Sequence, residues 1–260
     1  MSRPPISVLI PTRNEERDLP ACLASVRWAE EIVVVDSEST DRTRALATEA
    51  GARVLVRTFD DYSSQKNWAL AQLTHPWVLW LDADERVDDA LAAAIRALPE
   101  SPEADGFEIE RVNHFLGHRI RHSGWSNDRI VRLFRRDRGL WEGRIHERVT
   151  GLARIERLSG QLLHDSYASF GEYMEKLTPY ARENARKAYA AGRRAGPLAL
   201  LIRPPLRFLR MYLGQGGFLD GTWGLVVCGL SAVSVFLKYS ILWDASRHGP
   251  AVFDREDGLK

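Results

Sequence analysis

An α/β fold built on a largely parallel sheet, with a ligand site along one edge, is predicted by three observations. Short apolar runs alternate with amphipathic stretches of helical period through residues 6 to 81, most of these runs stop in polar or acidic clusters, and one of them ends in paired aspartates. The first run, Ile6-Ser7-Val8-Leu9-Ile10, reads as a buried strand that gives way to Pro11-Thr12-Arg13-Asn14-Glu15-Glu16. Leu19, Cys22, Leu23 and Val26 then fall on one helical stripe. Glu31 to Val35 is a second strand, closed by Asp36-Ser37-Glu38-Ser39-Thr40-Asp41, whose hydroxyls and carboxylates suit the start of the next helix; Gly51 ends that helix. Arg53 to Val56 is a third strand, and Ser64 to Leu73 a helix that carries Lys66 and Asn67. Trp77-Val78-Leu79-Trp80-Leu81 follows and stops abruptly at Asp82-Ala83-Asp84-Glu85.

The chemistry concentrates in that last run. Ligands of open α/β sheets bind where parallel strands end, and carboxylates two residues apart on a strand point the same way. Asp82 and Asp84 therefore converge, and hard oxygen ligands of this kind suit Mg²⁺ or Mn²⁺ held together with a phosphate-bearing substrate. The competing reading is an acidic turn with an aspartate capping a helix. Neither the dinucleotide fingerprint GxGxxG nor the phosphate loop GxxxxGK[ST] is present. A phosphatase of the Asp-x-Asp type fits poorly, because Arg86 stands where Thr or Val belongs and the pair follows a late strand.

Ser7 to Glu16, Val33-Val34-Val35-Asp36-Ser37, Lys66-Asn67 and Leu81 to Glu85 occur in an order and spacing that resembles family 2 glycosyltransferases of the GT-A fold. Gly217-Phe218-Leu219-Asp220-Gly221-Thr222-Trp223-Gly224-Leu225 resembles the subgroup that includes lipopolysaccharide-core β-1,4-glucosyltransferases acting on an inner-core heptose. The resemblance implies a Rossmann-like nucleotide-binding sheet over residues 1–167, with 168–260 as a helical, membrane-associating appendage. It implies that Asp36 contacts the uracil of a UDP-sugar, that Asp82 serves the ribose region and the metal shell, and that Asp84 holds the divalent metal. Pro11, Thr12, Asn14 and Glu15 would line the base, with Ser37, Lys66 and Asn67 nearby. Inverting transfer needs a base for the acceptor hydroxyl, and in Trp141-Glu142-Gly143-Arg144-Ile145-His146-Glu147 the resemblance puts Glu147 in that role, with His146 where the family's preceding acid stands. Related folds supply a further His to the metal or diphosphate, and His164 matches that place.

Between these motifs, Arg119 to Arg129 combines glycine, hydroxyls and Trp125. An exposed Trp would suit sugar stacking, and arginines such as Arg129 and Arg144 would suit an anionic acceptor; a loop with a structural Trp is the plain alternative. Arg129 to Arg136 alternates, which predicts a strand with one basic face.

Net charge is +1, but residues 1–110 carry 11 basic against 21 acidic side chains and residues 111–215 carry 21 against 9. No nucleic-acid recognition signature accompanies that cationic stretch, so an anionic membrane surface or phosphorylated glycolipid explains it better. Cys22 and Cys228 show no metal or redox spacing, which suggests a reducing compartment without a disulfide. The first strand begins within a few residues of Met1, leaving no room for a signal peptide. Ser169 to Ala191 predicts an amphipathic helix kinked or divided at Pro179. Arg203 to Tyr212 mixes arginines with large apolar groups, as a segment lying on a bilayer does, and Trp223 to Leu237 is shorter than the ~20 residues of a span, which predicts an interfacial or shallowly inserted helix.

The expectation is thus a metal-assisted, inverting hexosyltransferase, moving glucose or another hexose from a UDP-sugar to a glycolipid at the cytoplasmic face of the inner membrane. A polyprenyl-phosphate glycosyltransferase, a sugar-nucleotidyltransferase and an inactive nucleotide-binding protein are the alternatives.

Overall fold

The computed structural model describes residues 3–126, 128–143 and 148–254. Its first part alternates strand and helix: β1 (Ile6–Thr12), α1 (Leu19–Ser25), β2 (Glu31–Asp36), α2 (Thr43–Glu49), β3 (Arg53–Val56), α3 (Tyr62–Leu70), β4 (Trp77–Trp80), β5 (Glu85–Val87) and α4 (Asp89–Arg96). Strands then dominate, as β6 (Gly106–Phe115), β7 (His118–Arg119), β8 (Asp128–Arg135), β9 (Leu140–Glu142), β10 (Arg148–Thr150) and β11 (Ile155–Tyr167). Three helices follow, α5 (Phe170–Ala190), α6 (Pro197–Leu209) and α7 (Gly221–His248), with a short π-helical turn at Arg210–Gly214.

The chain forms two compact units. The first comprises residues 1–112 and 127–164, and the second residues 113–126 and 165–260. Residues 113–126 thus fold with the C-terminal helices. In the first unit the strands run in the order β3-β2-β1-β4-β8-β6-β11-β5. β1 pairs in parallel with β2 and β4, and β2 with β3, while β4–β8, β6–β8 and β5–β11 are antiparallel. The expected α/β sheet is therefore present as a mixed one.

Alternation along β1 divides the core. Ile6, Val8 and Ile10 face one layer with Leu19, Cys22, Leu91 and Ile95, whereas Leu9 faces the other with Val33, Val35, Trp80 and Trp141. Asp61 and Asp88 accept from the main-chain N–H groups of Ser64 and Leu91 and so cap α3 and α4. Gly51 has the left-handed backbone expected after α2, with φ +83°.

The second unit bears on two expectations. α5 is not divided at Pro179, because Leu177, Ala181, Ala185 and Ala188 form a continuous buried stripe across it. α7 extends well beyond Leu237, since Tyr239 to Trp243 continue the apolar run past Lys238. The stretch from Gly217 to His248 is long and apolar enough by length and composition to cross a membrane.

Candidate active site

The ends of β1 and β2 are locked together by one carboxylate. Asp36 is fully buried and accepts hydrogen bonds from Thr12 Oγ1 at 3.2 Å, from the Ser39 main-chain N–H at 2.9 Å and from the Ser39 hydroxyl, with Arg44 Nε 3.6 Å away. Asp36 thereby ties Thr12, Ser39 and Arg44 together at the strand ends. In that loop Asn14 has φ +57°, its amide oxygen accepts from Thr40 N at 2.9 Å, and its own N–H donates to Ser39 Oγ at 2.8 Å. The Glu15 main-chain N–H donates to Thr43 Oγ1 at 2.7 Å. Ser37 is buried and accepts from Gln65 Nε2 at 2.6 Å, and Pro11 and Thr12 lie on the same strand end.

Two strands away in the sheet, β4 delivers the paired aspartates. The Asp82 side chain keeps 39 % exposure and accepts from Arg132 Nη2 at 2.7 Å. Glu85 is fully buried, receives the same Arg132 nitrogen, and accepts from the Asp82 main-chain N–H at 3.0 Å, with Arg111 Nη1 at 3.4 Å. Burial works against the charged form of both acids. At Asp82 it is outweighed by Arg132 and then Lys66, which hold the carboxyl well below its usual range. At Glu85 burial prevails, with the Asp82 charge adding to it, and its value is raised despite Arg132. Lys66 is buried, with its ammonium 3.8 Å from the centre of the Trp80 ring; the Arg132 guanidinium lies 3.5 Å from the same ring centre.

Pairing of β5 with β11 sets His164 opposite Glu85 and brings its Nε2 to 3.3 Å from Asp84 Oδ2. Burial disfavours the imidazolium, yet the hydrogen bond and charge of Asp84 raise the His164 value above that of a free imidazole. Asp84 and His164 are half-buried, so a carboxylate and an imidazole meet where each retains an accessible side. Among the described residues no group of three or more His, Cys, Asp or Glu side chains is placed to hold a metal ion. Asp84 and His164 are nonetheless donors of the kind a divalent ion takes when its remaining ligands are phosphate oxygens and water.

The third wall is held from α3. Asn67 clamps Trp141 on both sides of its main chain, accepting from its N–H at 2.9 Å and donating to its carbonyl at 2.8 Å, and Ser63 Oγ donates to the Gly143 carbonyl at 2.6 Å. Asn67 thus ties α3 to β9. Arg144, His146 and Glu147 lie outside the described residues.

Of the acceptor-side candidates, Trp125 is partly buried in the second unit, where it packs edge-on to Phe115 at 6.2 Å. Arg129 belongs to the first unit and lies 3.9 Å from Glu110. The expected basic face of β8 is broken, because Arg132 is wholly inside. Phe107 pairs with Leu133 while Glu108 pairs with Val131, so Arg132 is the extra residue of a β-bulge, and the bulge turns its side chain to the acidic cluster. Arg132 and Glu85 are the site residues that sequence reasoning missed; the one available signal was an arginine on a strand flanked by apolar residues.

A model of the family described as Glycosyl transferase family 2 matches residues 7–156. The chain is 31 % identical, over 91 % of its length and 94 % of the relative's, to the lipopolysaccharide core biosynthesis glycosyltransferase LpsC of Rhizobium meliloti. It is 26 % identical to an uncharacterised glycosyltransferase of Rickettsia typhi, over 93 % of this chain and 87 % of that one. Among solved structures, Staphylococcus aureus TarS aligns over 69 % of this chain and 39 % of its own at 18 % identity, with a TM-score of 0.47. With its paired aspartates at the end of a parallel strand, and with the match covering more than half of its length, this chain is a glycosyltransferase and belongs to glycosyl transferase family 2.

Proposed function

We propose that the enzyme transfers a hexose, glucose in the first instance, from a UDP-sugar to a hydroxyl of a glycolipid of the lipopolysaccharide-core type, with inversion and with help from a divalent metal. One observation supports the donor half of this reading: Asp84 and His164 pair at 3.3 Å just after β4, the strand that runs parallel to β1, whose own end is ordered by Asp36. The name of the Rhizobium relative supports the acceptor class.

Within this reading Asp84 and His164 would hold the metal, and Asp82, fixed by Arg132, would face the donor beside them. A divalent ion there supplies charge neutralisation for the departing nucleoside diphosphate. The chain's own groups do the rest. The Asn14 loop and Ser37 shape the base and ribose end. Lys66 adds positive charge beside the acids. Asn67 and Ser63 fix Trp141 and Gly143, and so fix the point from which the segment bearing Glu147 departs. Glu147 takes the proton of the acceptor hydroxyl as the sugar carbon is attacked from the face opposite the leaving group. The exposed apolar and arginine-bearing second unit supports a membrane surface as the place of work.

A thermal-shift panel of nucleotide sugars with and without Mn²⁺ tests the donor. A UDP-sugar at 100 times its dissociation constant adds about 2.7 kcal/mol to stability, and stabilisation confined to uridine donors plus metal is expected. Stabilisation by nucleoside triphosphates with a sugar phosphate instead would turn the assignment to nucleotidyl transfer.

A further inference from the structure

In the second unit a helix of spanning length meets neighbours that argue against a span. Phe115 contacts Phe170 and Tyr173 at the start of α5 and Trp223 at the start of α7, with ring centres 6.0, 5.8 and 6.3 Å away. At the far end Ala185 and Ala188 of α5 pack with Leu242 and Ala245 of α7. The two helices therefore run side by side in the same direction. α6 returns antiparallel along α7: Ala195 N donates to Ser246 Oγ at 3.1 Å, Arg203 lies 5.6 Å from the Tyr239 ring centre, and Arg207 Nε donates to Ser231 Oγ at 2.9 Å.

A perpendicular α7 would carry α5 across the bilayer with it. α5 spans 21 residues, ~32 Å at 1.5 Å each, which is the thickness of the hydrocarbon layer. It bears seven charged side chains, from Glu172 to Lys187, and each charge near the centre of a bilayer costs roughly 3 kcal/mol on the insertion scale. α6 also contains Pro204 and Pro205, so the carbonyls of Leu200 and Leu201 lack their helical donors. Unpaired carbonyls are expensive in hydrocarbon and satisfied by water at an interface.

Most of the exposed large apolar side chains of this unit lie on α6, α7 and the turns between them. Leu198, Leu201, Leu206, Leu209 and Leu213 point outward along one stripe of α6 and the turn after it, and Leu225, Val233 and Phe236 do so along α7. Arg193, Arg194, Arg203, Arg207 and Arg210 are exposed on the same segment and complement anionic headgroups. We infer that α6 and α7 lie in the plane of an anionic membrane surface, with these apolar stripes sunk into one leaflet and α5 in water, so that the protein is monotopic despite a helix long enough to span. The inference rests on the membrane-surface reading above and deepens it to a stated geometry.

Spin labels at Leu225→Cys, Phe236→Cys and Glu175→Cys, each on the full chain whose own Cys22 and Cys228 are buried, report depth on vesicles containing phosphatidylglycerol. Equal shallow depth at 225 and 236, with 175 in water, is expected. A span would separate 225 and 236 by ~16 Å of depth, and that gradient, or a lipid-exposed label at 175, would overturn the in-plane geometry while leaving membrane binding intact. Absence of vesicle binding would overturn both. As a second variant, Leu201→Ser with Leu206→Ser alters only outward groups and should weaken vesicle partitioning by roughly tenfold or more; unchanged partitioning would remove α6 from the contact.

Discussion

Glu31 ties four segments of the first unit together, and acid should release it. Its carboxylate accepts from the Ser7 hydroxyl of β1, from both the N–H and the hydroxyl of Thr74 before β4 at 2.9 Å each, and from Arg53 of β3 at 2.7 Å. Burial opposes ionisation, but these donors outweigh it and lower the value from 4.5 to about 2. A depressed carboxyl stabilises the fold fully above its unfolded value and loses that stability as pH falls from about 4.5 through about 2. The shift corresponds to an upper figure of about 3 kcal/mol at 1.36 kcal/mol per unit. The Arg53 side chain is 42 % exposed, so its share is screened and a working figure is about 2 kcal/mol. Urea denaturation of wild type and Glu31→Gln should therefore differ by about 2 kcal/mol at pH 7, by nearly as much at pH 5, and by roughly half to two-thirds of that at pH 3.5. A difference that stays constant or grows on acidification would refute the reasoning.

Three further outcomes follow from other parts of the first unit. Gly160 has φ +94°, and a Cβ there would sit 2.1 Å from the Leu91 nitrogen, so Gly160→Ala should cost upwards of about 3 kcal/mol in the same denaturation assay; a cost below about 1 kcal/mol would contradict the packing of β11 on α4. Asn67→Ala leaves both main-chain groups of Trp141 without their partner and should lower sugar transfer while UDP-sugar affinity, read by calorimetry, stays near wild type; loss of affinity instead would return Asn67 to the nucleotide. Glu147→Gln should leave donor affinity unchanged and slow transfer by roughly 10²- to 10⁴-fold, whereas a variant with normal turnover would point to an acceptor that is already ionised.

The strand and helix order of the nucleotide-binding half was legible because buried parallel strands are continuous apolar runs and their helices are amphipathic. The acidic cluster after β4 was legible from the apolar run that stops there, but Asp82 and Asp84 lie in the turn beyond Trp80, where Asp82 meets Arg132 and Asp84 meets His164. Arg132 was not: strand alternation puts it on a surface face, and only the bulge opposite Phe107 and Glu108 reverses its direction. The enclosure of Asp36 by Ser39 and Arg44, and the clamp of Asn67 on Trp141, depend on loop geometry that no periodicity encodes. In the C-terminal unit Pro179 suggested a break, but local propensity yields to a stripe of buried alanines and Leu177. Lys238 made the α7 run look short, because one long side chain interrupts an apolar sequence without interrupting the helix.

The central claim is that the β4 end holds a donor diphosphate through Asp84 and His164. Isothermal titration of a UDP-sugar into the full chain, with Mn²⁺ or with chelator, for wild type and Asp84→Ala, tests it most directly. Binding that depends on Mn²⁺ in wild type and is lost in Asp84→Ala is expected, while the variant's circular dichroism and melting temperature remain those of the wild type. Metal-dependent UDP-sugar binding of undiminished affinity in Asp84→Ala would contradict it.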